Sequence, residues 1–167
     1  FPREHRLWMS YGHVLRTAGR QDESIAAYRR CVELAPSFGE AWWSLANLKT
    51  YRFAPAEVAA MRKALTRGDL KDDDRYHLHF SLGKALEDAG EFASSFAQYA
   101  QGNALRRRSV NYNADETHAH TGRSRALFTR SFFAEREGAG APHADPIFIV
   151  GLPRAGSTLI EQILASH

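Results

Sequence analysis

The sequence predicts a mainly α fold: an α–α superhelix of antiparallel helix pairs, followed by the first β–α unit of an α/β domain. Three observations predict it. Large and small residues recur in one order, and Trp8 and Trp42 stand 34 residues apart, a spacing that suits a two-helix repeat. Gly19, Gly68 and Gly90 punctuate the helical stretches, where a residue in the left-handed conformation can close a helix. Near the end, Pro146-Ile147-Phe148-Ile149-Val150 is short, apolar, β-branched and aromatic, which reads as a buried strand.

The first unit runs Trp8, Tyr11-Gly12, Leu15, Gly19, Ser24, Tyr28, Cys31, Leu34 and Pro36. This order resembles the tetratricopeptide pattern: a large residue, a small one where two helices touch, an aromatic, then a closing proline. Gly12, Ser24 and Cys31 let neighbouring helices approach, while Trp8, Leu15 and Tyr28 fill the space between. A second unit begins at Phe38-Gly39 with Trp42, Leu45 and Ala46. Its second helix starts at Pro55 or Ala56 and turns Val58, Met61 and Leu65 inward. A third unit aligns Leu82-Gly83, Gly90, Ser95, Tyr99 and Leu105 with Tyr11-Gly12, Gly19, Ser24, Tyr28 and Leu34 at an offset of 71. It departs from the pattern at His79, which replaces Trp8, and at Arg107, which replaces Pro36. Helices are expected over 4–18, 21–34, 39–50, 55–67, 73–89 and 91–107, stacked so that each pair buries its apolar surface on the next.

Beyond the array, Ser109-Val110-Asn111-Tyr112-Asn113 is a polar break, and 115–136 reads as one long helix with Leu127, Phe128, Phe132 and Phe133 on its apolar side. Gly138-Ala139-Gly140-Ala141-Pro142 is the clearest linker. The expected domains are helical repeats over 1–109, a connecting helix and linker over 110–142, and the start of a second domain over 143–167. The chain begins without Met and stops soon after its first β–α unit, and it reads as the N-terminal part of a longer protein. A lone strand at 146–150 would lack a sheet partner, so it is expected to be poorly ordered or to pair with another copy.

Composition narrows the function classes. The chain is 44% hydrophobic and 25% charged, with a formal charge of +3. That balance permits an anionic ligand but leaves no broad basic footprint for nucleic acid. Arg106-Arg107-Arg108 reads as the basic end of a helix. Cys31 is the single cysteine, which leaves no intrachain disulfide or cysteine metal cluster and points to a reducing, cytoplasmic setting. The longest apolar run, 146–153, falls far short of the ~20 residues a membrane span requires. His77 with His79, and His118 with His120, invite a metal reading. Residues two apart on a helix diverge by about 200°, so these histidines read as surface or core groups and no metal is expected.

The chemistry sits at Gly151-Leu152-Pro153-Arg154-Ala155-Gly156-Ser157-Thr158. Strand, glycine loop and helix N-terminus together present amide groups and a positive dipole end to an anion. The stretch can be laid over the phosphate-loop pattern of nucleoside-triphosphate enzymes, but Ser157 stands where that pattern has its lysine. This argues against ATP or GTP hydrolysis. Arg154 instead offers a permanently charged, forked donor.

Pro153-Arg154-Ala155-Gly156-Ser157-Thr158 resembles the 5′-phosphosulfate-binding loop of sulfotransferases. With its flanks, and with the repeats upstream, the chain is similar to bacterial proteins that join tetratricopeptide repeats to a sulfotransferase domain like that of tyrosylprotein sulfotransferases. The resemblance implies 3′-phosphoadenosine 5′-phosphosulfate as co-substrate and a hydroxyl or amine as acceptor. It implies that Pro153, Arg154, Ala155, Gly156, Ser157 and Thr158 bind the donor, and that Arg154 is catalytic, countering charge on the sulfuryl oxygens and the leaving phosphate. Ala155 in place of the usual Ser loses one side-chain donor, and Ser157 in place of Thr keeps its hydroxyl. The remaining machinery lies further along the chain in that family, so residues 1–167 alone are expected to be inactive, and neither Glu161 nor His167 is nominated. The repeats imply a protein or peptide partner, or self-association, and Trp43 is the best candidate for a groove residue. The alternatives are a repeat adaptor with a non-catalytic phosphate loop and, more weakly, a phosphate-loop kinase.

Overall fold

The computed structural model describes residues 3–141, 143, 145–153 and 155–166. The chain divides into two compact units, residues 1–112 and 113–167. The first holds α1 (His5–Thr17), α2 (Gln21–Leu34), α3 (Gly39–Ala46), α4 (Pro55–Leu65), α5 (Asp72–Asp88) and α6 (Phe92–Ser109); the second holds α7 (Ala114–Leu127), α8 (Arg130–Ala134) and α9 (Ser157–Ala165).

Local chemistry sets the helix ends. The Glu4 carboxylate accepts from the Arg6 N–H at α1, and Pro55 fills the first turn of α4, where its missing N–H costs nothing. Asp72, Asp73 and Asp74 sit in the first turn of α5, and Arg106, Arg107 and Arg108 in the last turn of α6, each matched to the helix dipole. Gly19 (φ 75°) and Gly90 (φ 76°) end α1 and α5 in the left-handed conformation. The following amides of Arg20 and Glu91 donate back to Leu15 and Leu86 carbonyls, both at 2.9 Å, which is the Schellman closure.

The two outer helix pairs share one internal lock. Ser24 Oγ donates to the Gly12 carbonyl at 2.9 Å, and Ser95 Oγ to the Gly83 carbonyl at 2.8 Å. Above each glycine lies a tyrosine ring: a Cβ on Gly12 would come within 2.5 Å of Tyr28, and one on Gly83 within 2.9 Å of Tyr99. Small residues therefore set the helix spacing at 12, 24, 83 and 95. The register at an offset of 71 is a physical equivalence as well as a sequence one.

One core cluster joins Met9, Tyr28, Cys31, Ala41 and Leu45; the other joins Trp42, Met61, Ala64, Leu78, Leu82, Ala85 and Leu86. Trp42 is buried with its indole N–H donating to the Pro36 carbonyl at 2.9 Å, so the closing proline also satisfies a core donor. Gly39 packs against the Asp74 backbone, and its N–H donates to Asp74 Oδ1 at 2.9 Å. Among the described residues, no buried side-chain nitrogen or oxygen lacks a partner.

Four expectations need correction. The third helix stops at Ala46 rather than near 50, because Lys49 turns to φ 64° and Arg52 donates to its carbonyl at 2.7 Å. Gly68 is not the left-handed stop of α4, which ends on Thr66 in right-handed geometry. The long helix over 115–136 is broken into α7 and α8, since Thr129 Oγ1 accepts from the Phe132 N–H at 3.2 Å and caps a new helix. Lastly, residues 146–150 form no strand. Ile147, Phe148 and Val150 are exposed, and no other described segment offers them a backbone ladder. The α half of the expected β–α unit is present as α9. Pro142 of the linker lies outside the described residues.

Candidate functional site

The glycine loop leads into α9 through two backbone features. The Ala155 N–H donates to the Leu152 carbonyl at 3.1 Å, closing a tight turn that includes Pro153. Gly156 follows at φ 88°, ψ 18°, the left-handed region, as the N-cap of α9. A Cβ there would be strained. The Gly156 carbonyl accepts from the Leu159 and Ile160 amides at 3.0 and 3.1 Å, so helical bonding begins at once.

The amides of Ser157 and Thr158 lie in the first turn of α9 and have no intrahelical acceptor by helix geometry. They carry the positive end of the dipole. Both residues are exposed, so their amides and hydroxyls are open to a ligand. Ala155 is exposed beside them and supplies no side-chain donor. Gly151 tolerates a Cβ, which would meet Ala155 Cβ at 3.4 Å; of the two bracketing glycines, Gly156 is the one the backbone requires. Arg154 and His167 lie outside the described residues. Glu161 sits one turn further into α9 and is exposed. The arrangement can hold an oxyanion at a helix start.

The repeats carry a second surface of interest. Trp43 of α3 is half-buried and stacks on His77 of α5, with centroids 6.4 Å apart, and leans on Phe80 at 5.8 Å. Tyr76 extends the patch to Phe80 at 6.0 Å, and the Arg106 guanidinium lies 5.4 Å from the Tyr76 ring centre. The sequence pointed to Trp43 alone. Tyr76 and Phe80, four apart on α5, are the signal that could have found the rest.

Beside this patch, His5, Arg6, Phe38, Glu40, Asp73, Asp74 and His77 line a cavity of about 520 Å³. Its charges are of both signs. Burial lowers the His77 pKa, opposed by Glu40, Asp73 and Asp74. His79 turns elsewhere, its Nδ1 2.9 Å from Gln98 Oε1, so the two imidazoles share no ligand. Cys31 is fully buried, and burial, aided by Glu40, pushes its thiol up to about 12, which makes it a packing residue and not a nucleophile. No described helix is long and apolar enough to cross a membrane.

Two family models match the chain: the sulfotransferase family over residues 146–167, and the tetratricopeptide repeat over residues 5–48. An uncharacterized protein of Aquifex aeolicus (strain VF5) is 28% identical over 167 residues, covering 100% of this chain and 22% of that relative. The chain thus spans about a fifth of the relative's length. It is similar to tetratricopeptide repeats near its start and to the sulfotransferase family over its last residues.

Proposed function

We propose that the full-length protein is a sulfotransferase, moving a sulfuryl group from 3′-phosphoadenosine 5′-phosphosulfate to a hydroxyl or amine acceptor. The observation that carries the reading is the left-handed Gly156 placing the Ser157 and Thr158 amides at the open start of α9, inside the segment that matches the sulfotransferase family. The residues fit the phosphate of such a donor: two first-turn amides, two exposed hydroxyls and a neighbouring arginine.

Each residue then has a role in physical terms. Gly156 lets the backbone turn without a side chain between amide and anion. Ser157 and Thr158 hold phosphate oxygens by amide and hydroxyl, while Pro153 and the Ala155 amide, which donates to the Leu152 carbonyl, fix the turn beside them. Arg154 carries a charge that does not titrate near neutral pH, suited to negative charge that grows on the sulfuryl oxygens and the leaving phosphate. The absence of a lysine at 157 separates this loop from one built for a triphosphate.

In this reading, residues 1–109 are repeats, 110–142 connect, and 143–167 open the catalytic domain. The repeats recruit the acceptor protein or peptide, for which the aromatic patch around Trp43 and Phe80 offers a surface, or they mediate self-association. Residues 1–167 alone bind nucleotide weakly at most and do not catalyse.

Calorimetry of the full-length protein with adenosine 3′,5′-bisphosphate and with ATP tests the reading. The bisphosphate should bind more tightly by about tenfold or more, roughly 1.4 kcal/mol. Preference for ATP would overturn the sulfotransferase assignment in favour of a kinase. Binding of neither nucleotide would leave the protein an adaptor built on its repeats.

A further inference from the structure

Leu7, Tyr11 and Val14 lie one above another on α1, at i, i+4 and i+7, and remain 49%, 48% and 64% exposed. Single exposed apolar residues are ordinary on a protein surface. Three in line are not, and the repeat register gives the line a meaning.

At an offset of 71, set physically by the Gly12–Ser24 and Gly83–Ser95 locks, these positions become Leu78, Leu82 and Ala85 of α5, which are 0%, 2% and 7% exposed. At an offset of 34 they become Ala41 and Leu45 of α3 and Leu48 in the turn that follows it. The first two are fully buried and the third is half-buried. In both later units the stripe is covered by the unit before it. Ala41 and Leu45 pack with Met9 of α1 and with Tyr28 and Cys31 of α2, while Leu78, Leu82 and Ala85 pack with Trp42 of α3 and with Met61 and Ala64 of α4.

A terminal unit of a repeat array keeps a polar outer face, because nothing stacks on it. The outer face of α1 is not polar: its sequence retains a stacking face of Leu, Tyr and Val. We propose that Leu7, Tyr11 and Val14 seat the helices of a further repeat, one that precedes Phe1 in the full-length polypeptide and continues the superhelix in the N-terminal direction. The similar protein from Aquifex aeolicus is long enough for such a unit, since this chain matches only 22% of it.

The test is Tyr11→Glu in two settings. In the chain of residues 1–167 the substitution faces solvent, and the unfolding midpoint should stay within about 1 °C of the parent. In the full-length polypeptide it would place a carboxylate in a helix interface, and the midpoint of the array should fall by about 5 °C or more. A midpoint unchanged in both settings overturns the proposal, as does a polypeptide with no helix pair encoded ahead of Phe1. Concentration-dependent self-association of residues 1–167 that Tyr11→Glu abolishes would also overturn it, by assigning the stripe to a second copy.

Discussion

The helical unit, residues 1–112, and the C-terminal unit, residues 113–167, treat apolar side chains in opposite ways. Leu45, Met61 and Leu78 are wholly buried by partners from the same unit, whereas Leu159, Ile160, Ile163 and Leu164 on α9 are all 45% exposed or more. The helical unit builds its core through contacts between neighbouring helices and leaves apolar side chains such as those of Leu7, Tyr11 and Val14 exposed on its first helix. Among the described residues, the C-terminal unit has a loop and the helix α9 but no sheet to cover them. A helix pair can be specified by a stretch of some thirty-five residues, but a strand borrows its hydrogen bonds from elsewhere in the chain.

Substitutions should separate the two units by size of effect. The largest is expected from Gly39→Ala, since the Asp74 backbone occupies the space a Cβ would need and cannot swing aside as a side chain could. A loss of about 3 kcal/mol or more, or failure to fold, is expected in urea unfolding. Gly12→Ala comes next, at about 1–3 kcal/mol. The Tyr28 ring above it is fully buried, and its hydroxyl is tied to His13 Nδ1 at 2.9 Å. Gly83→Ala should cost less than Gly12→Ala, because Tyr99 is only half-buried and has room to shift. Equal costs at 12 and 83 would break the claim that ring mobility decides the penalty.

How far the sequence revealed this follows from the same contrast. The outer helix pairs were legible in full: Gly12, Ser24 and Tyr28 announced their spacing, Gly19 and Gly90 their ends, and the offset to 83, 95 and 99 survived intact. The middle unit was less so. Its first helix ends early because Lys49 adopts a left-handed turn held by Arg52, and neither residue type signals that. Thr129 breaks the expected long helix by capping a new one, a side-chain choice that competes with a good apolar pattern. The stretch at 146–150 is short, apolar, β-branched and aromatic, yet that pattern alone supplies no ladder partner and no strand forms. At the candidate site, the register of the loop was legible because glycine accepts the left-handed conformation found at 156 without strain. The aromatic patch was half-legible: Trp43 stood out, while Tyr76, Phe80 and Arg106 join it only through the stacking of α3, α5 and α6.

A smaller effect should come from pH. Burial lowers the pKa of both His77 and His79, so each binds a proton less readily folded than unfolded. As pH falls through the ordinary histidine range, near 6.5, the unfolded chain takes up more protons and stability declines; above that range the full stability is present. Urea midpoints should therefore drop between pH 7.5 and 5.5. His79→Asn, which keeps a donor for Gln98 Oε1, should make that slope shallower. An unchanged slope would show that His79 does not contribute to the acid side of the stability curve.

The smallest effects are expected in α9. Leu159→Ser and Ile163→Ser remove apolar groups that are already in solvent, so in residues 1–167 each should change the unfolding free energy by no more than about 0.5 kcal/mol. A larger loss would mean that α9 is covered in solution and would erase the contrast between the units.

The most direct measurement on the central claim is donor-site binding by the full-length protein carrying Gly156→Val. The left-handed turn at 156 is what brings the Ser157 and Thr158 amides to the open helix start, and valine cannot adopt it without strain. Calorimetry with adenosine 3′,5′-bisphosphate should show affinity reduced by about tenfold or more, with the melting of the helical repeats unchanged. Affinity within about twofold of the parent protein would contradict the account, because the loop would then not be the donor site.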